Sequence, residues 1–220
     1  HSISEVKSLG AAVAKFGGVL MPMEANPVDT IWDDQPEPPL GTVTIQPLEF
    51  AGKTAREKIE DMKAALAKAG ADATVLTDPS SLAWIFNIRG ADVPHTPVAL
   101  GFAIIKAVGE PLVFLDVRKL PVKTKAYLTQ LCELVPPENL EAALIEIAGG
   151  KTVALDPALA ADRLRRLVIA SGGTVIEEQD PARLPRARKN AAELQGSRAA
   201  HRRDGAAMTA FLDWYGKQAP

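Results

Sequence analysis

Arg89, Asp92 and His95 are the residues of this 220-residue chain whose types and spacing best suit joint chemistry. They lie in Arg89-Gly90-Ala91-Asp92-Val93-Pro94-His95-Thr96-Pro97, directly after the apolar run Trp84-Ile85-Phe86-Asn87-Ile88. An imidazole titrates near neutrality, so His95 can donate, accept or shuttle a proton. Arg89 and Asp92 can orient that ring or bind a peptide terminus. Pro94 and Pro97 stiffen the loop, which lowers the entropy cost of holding the ring in place. The same residues also support a purely structural reading, a loop pinned by side-chain-to-backbone hydrogen bonds with Asp92 satisfying Arg89.

Other chemistry-bearing residues yield less. Gly52-Lys53-Thr54 resembles the end of a phosphate loop, but that motif needs a glycine five positions before Gly52, where Pro47 stands. Thr54 reads better as a helix cap. His1, His95 and His201 are far apart, and no second histidine lies a helical turn from His201 to complete a metal motif. Cys132, the single cysteine, excludes an intrachain disulfide and a thiolate cluster. Flanked by Leu131 and Leu134, it reads as a buried thiol in a helix. Trp84 reads as core and Trp32 as an anchor for the segment that follows it. Serine-nucleophile, paired-cysteine and dinucleotide glycine motifs are absent from the sequence.

The bulk numbers fit a folded domain. Hydrophobic residues make up 47% and charged residues 24%, enough to enclose a core. A net charge of −2 with mixed signs gives no basic field for nucleic acid. No apolar run approaches the roughly 20 residues of a membrane helix, and no secretory signal opens the chain. A cytoplasmic setting is expected. The chain begins at His1 rather than Met, which points to a trimmed, tagged or processed start.

The elements that must position the loop follow from periodicity. Val6, Leu9, Val13 and Phe16 sit at helical spacing, Gly17-Gly18 closes that helix, and Val19 to Met23 reads as a short strand. One helix and one strand cannot enclose a core, so residues 1–32 must pack on other material. Residues 33–47 form a proline-rich extended linker. Thr54-Ala55-Arg56-Glu57 is a capping box for a helix with Ile59, Met62, Leu66 and Ala69 on its apolar stripe and Gly70 at its end. Ala73 to Thr77 is a buried strand, and Asp78-Pro79 opens a short helix. Val98 to Val108 and Pro111 to Asp116 make a hairpin around Gly109-Glu110. Helices are expected over Lys123 to Leu134 and Glu138 to Ala148, then a strand over Lys151 to Leu155. Asp156-Pro157 caps a helix running to Ala170, and Thr174 to Glu178 is the last strand. From about Lys189 a long charged helix carries the stripe Ala207, Met208, Phe211, Leu212 and Tyr215. Alternating strands and helices plus a hairpin predict an α/β fold: a mixed sheet flanked by helices.

Four segments, in order and spacing, resemble the three-domain cytosolic type of the aminopeptidase P (Xaa-Pro aminopeptidase) family. Asn26-Pro27-Val28-Asp29-Thr30-Ile31-Trp32-Asp33-Asp34-Gln35-Pro36 is similar to the link between its first two domains. Ser81 through Pro97 is similar to its second-domain signature, Arg-Gly-x-Asp-x-x-His-x-Pro. Arg188 through Gly196 resembles the boundary with the catalytic domain, and Ala199 through Met208 that domain's first helix. The resemblance implies a remnant of a preceding creatinase-N-like domain (1–32), a linker (33–47), a creatinase-N-like second domain (48–187) and the first helix of a pita-bread catalytic domain (188–220).

It further implies a parent metalloaminopeptidase that hydrolyses the N-terminal residue from peptides with proline second. Two divalent ions, manganese for this family, would be held by two Asp, one His and two Glu lying beyond Pro220. No catalytic or metal residue is then expected here, and the chain alone is expected to be inactive. Arg89, Asp92 and His95 become candidate cleft-facing, substrate-binding residues by position. Such domains cover the catalytic cleft, restrict substrate length and contribute to homo-oligomer contacts. A stand-alone, non-catalytic creatinase-like binding module is the alternative. The signature argues against a prolidase or creatinase.

Overall fold

The computed structural model describes residues 1–218. In chain order its regular elements begin with α1 (Ile3–Ala14), α2 (Pro27–Ile31), β1 (Thr44–Ile45), α3 (Leu48–Ala51), α4 (Ala55–Ala69), β2 (Ala73–Leu76), α5 (Pro79–Ile85) and β3 (Ile88–Arg89). The hairpin strands β4 (Phe102–Lys106) and β5 (Leu112–Phe114) come next, followed by α6 (Val122–Leu128), β6 (Glu133–Val135), α7 (Leu140–Ala148) and β7 (Thr152–Leu155). The chain ends with α8 (Asp162–Ala170), β8 (Thr174–Glu177), α9 (Arg183–Ala187) and α10 (Ala191–Gln218).

Six strands form one mixed sheet in the order β6-β5-β4-β2-β7-β8. β4 runs antiparallel to both β2 and β5, whereas β2, β7 and β8 are parallel, as are β5 and β6. Side chains alternate across the sheet, as the pleat dictates. Leu76, Ala103, Ile105, Val113 and Ala154 face one core with Ile59, Met62 and Leu66 of α4 and Leu82 and Ile85 of α5. Val75, Ile104, Phe114, Val153 and Leu155 face the other with Leu144 of α7, Leu164 and Val168 of α8, and Ile3 of α1. Both faces are covered, so the strands read as nearly continuous apolar runs.

Thr54 and Glu57 form the expected capping box of α4, and left-handed Gly70 ends that helix. Ala69 is exposed, however, and Lys58 takes the buried place beside Ile59. Asp78 caps α5 through the Ser80 amide. Ile3 is buried against α7 and α8, so the start of the chain is welded to the sheet layer. Phe16, Val19, Met21 and Met23 beyond α1 are exposed.

Six expectations are corrected. Val19 to Met23 is irregular, and among the described residues no strand pairs with it to supply hydrogen bonds. The helix predicted over Lys123 to Leu134 stops at Leu128. Glu133–Val135 instead pairs with β5, because the open sheet edge offers ladder bonds that a longer helix would forgo. Cys132 is buried as expected but sits in the turn between α6 and β6. Asp156-Pro157 starts turns rather than a helix, and α8 begins at Asp162. The Asp156 carboxylate is occupied by the amides of Ala158 and Asp180, tying two loops together. The first part of the Val98–Val108 run is also not strand, since it crosses the Arg89–Asp92 loop. Trp32, read as an anchor, is 45% exposed.

Candidate functional site

The segment that carries the Arg-Gly signature is locked from several directions. Lys58 is 1% exposed, and its ammonium donates to the Trp84 carbonyl (3.0 Å) and Asn87 Oδ1 (2.7 Å). It also lies 4.2 Å from the centroid of the Trp84 ring, a cation–π arrangement. Burial pulls the lysine down to about 8, with Glu193 opposing that pull and Arg89 and Lys53 adding to it. Asn87 is left-handed at φ 48°, a conformation asparagine tolerates better than most side chains. Its Nδ2 donates to the Lys53 carbonyl (2.9 Å), and its own carbonyl receives the Gln46 amide (2.7 Å). The turn from α5 into β3 is thereby fixed, and β3 pairs with β1, placing Arg89 opposite Thr44.

Gly90 and Asp92 explain the next part of the motif. A Cβ on Gly90 would lie 2.5 Å from the Ala99 nitrogen, so the crossing of these two backbones requires glycine. The Asp92 side chain is 0% exposed. Its Oδ2 lies 2.7 Å from Lys119 Nζ, itself 5% exposed, and accepts the Leu100 amide (2.7 Å), while Oδ1 accepts the Gly41 amide (2.8 Å). Asp92 thus closes a knot of three segments, and the pairing expected with Arg89 is not made. Instead Arg89 Nη1 donates to the carbonyls of Ala83 (3.3 Å) and Ile88 (2.7 Å). Burial pulls the Arg89 guanidinium down and Glu193 partly offsets this. His95 stands exposed at the tip of the Val93–Thr96 turn with φ 61°.

The three residues singled out by sequence therefore do not converge. Arg89 lines a cleft of about 560 Å³ together with Thr96, Pro97 and Val98, whereas Asp92 is sealed beneath and His95 points from the rim of the loop. The rest of the lining comes from Phe50 and Arg186, which the sequence reading did not name, and from Trp84, Lys189 and Glu193, which it placed in the resembling segments without assigning them to a cleft. Trp84 is half-buried: its ring packs against the core, as expected, while its Nε1 donates to Glu193 Oε1 (3.2 Å). Glu193 and Asn190 cap the start of α10 reciprocally: the Asn190 amide donates to Glu193 Oε2 (2.9 Å) and the Glu193 amide to Asn190 Oδ1 (3.0 Å). Asn190 Nδ2 also reaches the Ala51 carbonyl at the end of α3 (2.8 Å). The Asn-x-x-Glu spacing was the available signal for this junction. Arg186 pairs with Asp78 (2.8 Å), and the Ser80 amide and Arg186 together hold the Asp78 carboxyl low although burial pushes it up.

A dinuclear centre needs converging carboxylates and imidazoles. Among the described residues no three His, Cys, Asp or Glu side chains group as metal ligands. The cleft itself carries three cations and one carboxylate. That donor set does not fit a divalent ion, and no metal step runs through these residues. Among the described residues no helix is long and apolar enough to cross a membrane.

Comparison with known proteins places this geometry. A probable Xaa-Pro aminopeptidase P of Paracoccidioides lutzii is 36% identical, over 96% of this chain and 36% of that protein. One from Ajellomyces dermatitidis is 35% identical with the same coverage. The chain thus spans about a third of the length of the curated relatives it matches. The crystal structure of an X-prolyl aminopeptidase from Caenorhabditis elegans, described as a cytosolic enzyme with a di-nuclear active site, superposes with a TM-score of 0.87. It is 25% identical, covering 99% of this chain and 36% of that one. Residues 34–193 match the creatinase/prolidase N-terminal domain, whose mixed sheet flanked by helices is the architecture seen here. By that match the chain belongs to the creatinase/prolidase N-terminal domain family, and it aligns almost end to end with the Xaa-Pro aminopeptidase P branch of it.

Proposed function

We propose that this chain is a non-catalytic middle portion of an Xaa-Pro metalloaminopeptidase, which hydrolyses the N-terminal residue from peptides with proline in second position. The observation that carries this reading is the coverage: 96% of the chain aligns with a relative of which it spans only 36%. Residues 1–32 close a preceding domain, 33–47 link it, 48–187 form the creatinase-like domain and 188–220 begin the catalytic one. The di-nuclear active site stated for the Caenorhabditis elegans enzyme supports two divalent ions held outside these residues. In this reading the Arg89–Pro97 loop and the start of α10 shape the substrate cleft. The cytosolic setting of that enzyme supports a cytoplasmic one here. The exposed stripe of Met208, Phe211, Leu212 and Tyr215 on α10 supports packing against further protein, including homo-oligomer contacts.

Two preparations test it. The purified chain, incubated with manganese and an Xaa-Pro-Xaa peptide, should show no turnover. A chimera in which the chain replaces the aligned third of the Paracoccidioides lutzii protein should cleave that peptide. Turnover that follows the purified chain, or a folded chimera without activity, overturns the proposal.

A further inference from the structure

We infer that the cleft between α5, the Thr96–Val98 segment and the start of α10 is a carboxylate-binding site, taking an organic acid with an apolar body. Three cations line it, Arg89, Arg186 and Lys189, against one carboxylate, Glu193. Glu193 is already engaged by two donors, Trp84 Nε1 and the Asn190 amide. Arg89 is half-buried, and among the described residues no carboxylate lies within ion-pair distance of it. Only its Nη1 is used, on two backbone carbonyls, which leaves the rest of the guanidinium fork free. Arg186 is paired with Asp78 through Nη2, and its Nη1 is sealed from solvent, so Arg186 adds field to the wall rather than an open donor. A half-desolvated cation such as Arg89 gains from an incoming anion, because buried charges without partners are costly.

The open part of the planar Arg89 fork suits a carboxylate, which accepts two parallel N–H bonds. Phe50, Pro97, Val98 and the Trp84 ring supply the apolar wall that a bare inorganic ion would leave unused. The acid group sits by Arg89, Lys189 strengthens the field at the rim, and the ligand body lies across Trp84. A peptide C terminus and a small free acid share this chemistry. The site lies in the cleft that the proposed function assigns to substrate and rests on that reading for its role; binding is measured on this chain without turnover, so the two can fail separately.

Trp84 reports the binding. In the 220-residue chain carrying Trp32→Phe and Trp214→Phe it is the sole tryptophan. Its fluorescence is titrated with the tetrapeptide Ala-Ala-Leu-Phe, the same peptide amidated at its C terminus, 3-phenylpropanoate, and inorganic phosphate. The free-acid peptide should bind saturably, with Kd at least tenfold higher for the amide and for Arg89→Met. Arg89→Lys should restore part of the loss. Lys189→Gln, an exposed position that leaves the fold intact, should weaken binding about threefold and flatten its salt dependence. Tighter binding of the peptide than of phenylpropanoate supports a peptide terminus as source, and equal binding supports a small acid. Equal affinity for acid and amide, no change on Arg89→Met, or phosphate competing as well as the peptide acid would overturn the inference.

Discussion

Asp92 offers the sharpest test of how the Arg-Gly loop is held. Replacing it by alanine leaves the Lys119 ammonium, 5% exposed, without its carboxylate and strips the Gly41 and Leu100 amides of their acceptor. Breaking one side of a buried ion pair costs about 3–5 kcal/mol, because the remaining charge stays desolvated. The two amides add to this, though not additively, since all three donors share one carboxylate. For a chain of this size each kcal/mol lowers Tm by roughly 2–4 °C, so a loss of about 4 kcal/mol predicts a fall of roughly 8–16 °C.

The assay is urea unfolding followed by far-ultraviolet circular dichroism, with Asp92→Asn, Lys119→Met and the double variant completing a cycle. Asp92→Asn keeps the shape and one acceptor, so it should cost less than Asp92→Ala. Lys119→Met removes the charge that the carboxylate balances but leaves Asp92 with its two backbone donors. The double variant Asp92→Asn/Lys119→Met should therefore be more stable than the sum of its parts by at least about 2 kcal/mol. An exposed pair, Arg56 with Glu110, provides the control, since its removal should cost no more than about 1 kcal/mol. A loss below about 1 kcal/mol for Asp92→Ala, or additive single effects, would show that the loop is not held by this pair.

Further expectations concern other residues of the same framework. Gly90→Ala forces a Cβ to 2.5 Å from the Ala99 nitrogen and should cost about 1–3 kcal/mol, read as a lower urea midpoint with unchanged m. Burial pushes the Cys132 thiol up to about 12, so native protein at pH 8 should resist a disulfide reagent until denaturant is added; rapid labelling of the folded chain would contradict the buried assignment. Glu193→Ala removes the cap of α10 and the acceptor of Trp84, and hydrogen exchange should quicken over residues 190–197 while α7 is untouched; uniform protection in both would refute the junction. Lys58 binds its proton more weakly in the folded chain, at about 8 against an ordinary 10.5, so the unfolded chain holds more protons between those values. Stability should therefore rise with pH across that window, by up to about 3 kcal/mol, and the rise should vanish in Lys58→Met. A wild-type-minus-variant difference that stays flat over the window would be inconsistent with the buried ammonium.

The layers of this fold were legible because periodicity is a local property. Thr54 with Glu57, Asp78-Pro79 and Gly70 mark helix ends through bonds a few residues apart, and the chain obeys them. Expectations failed where a distant partner decided the outcome. Leu134 and Val135 sit in a helix-compatible run, yet they take strand geometry because β5 presents an unpaired edge beside them. Asp156-Pro157 has the form of a helix start, but Asp180 arrives from 24 residues away and claims the carboxylate.

The same distinction divides the candidate site. Spacing drew attention to Arg89, Asp92 and His95, and spacing alone treated them as one group. Chemistry at a site is set by which groups share a solvent space, and the chain separates these three into different spaces: a cleft wall, a sealed ion pair and an exposed turn tip. Asp92 serves Lys119 and two amides in a fully buried knot, away from the cleft that Arg89 lines. Arg89 is therefore left to backbone carbonyls and the field of Glu193. The buried pair fixes the loop whose far side, Thr96 to Val98, walls the cleft beside Arg89, so loss of Asp92 should loosen the cleft as well as the fold.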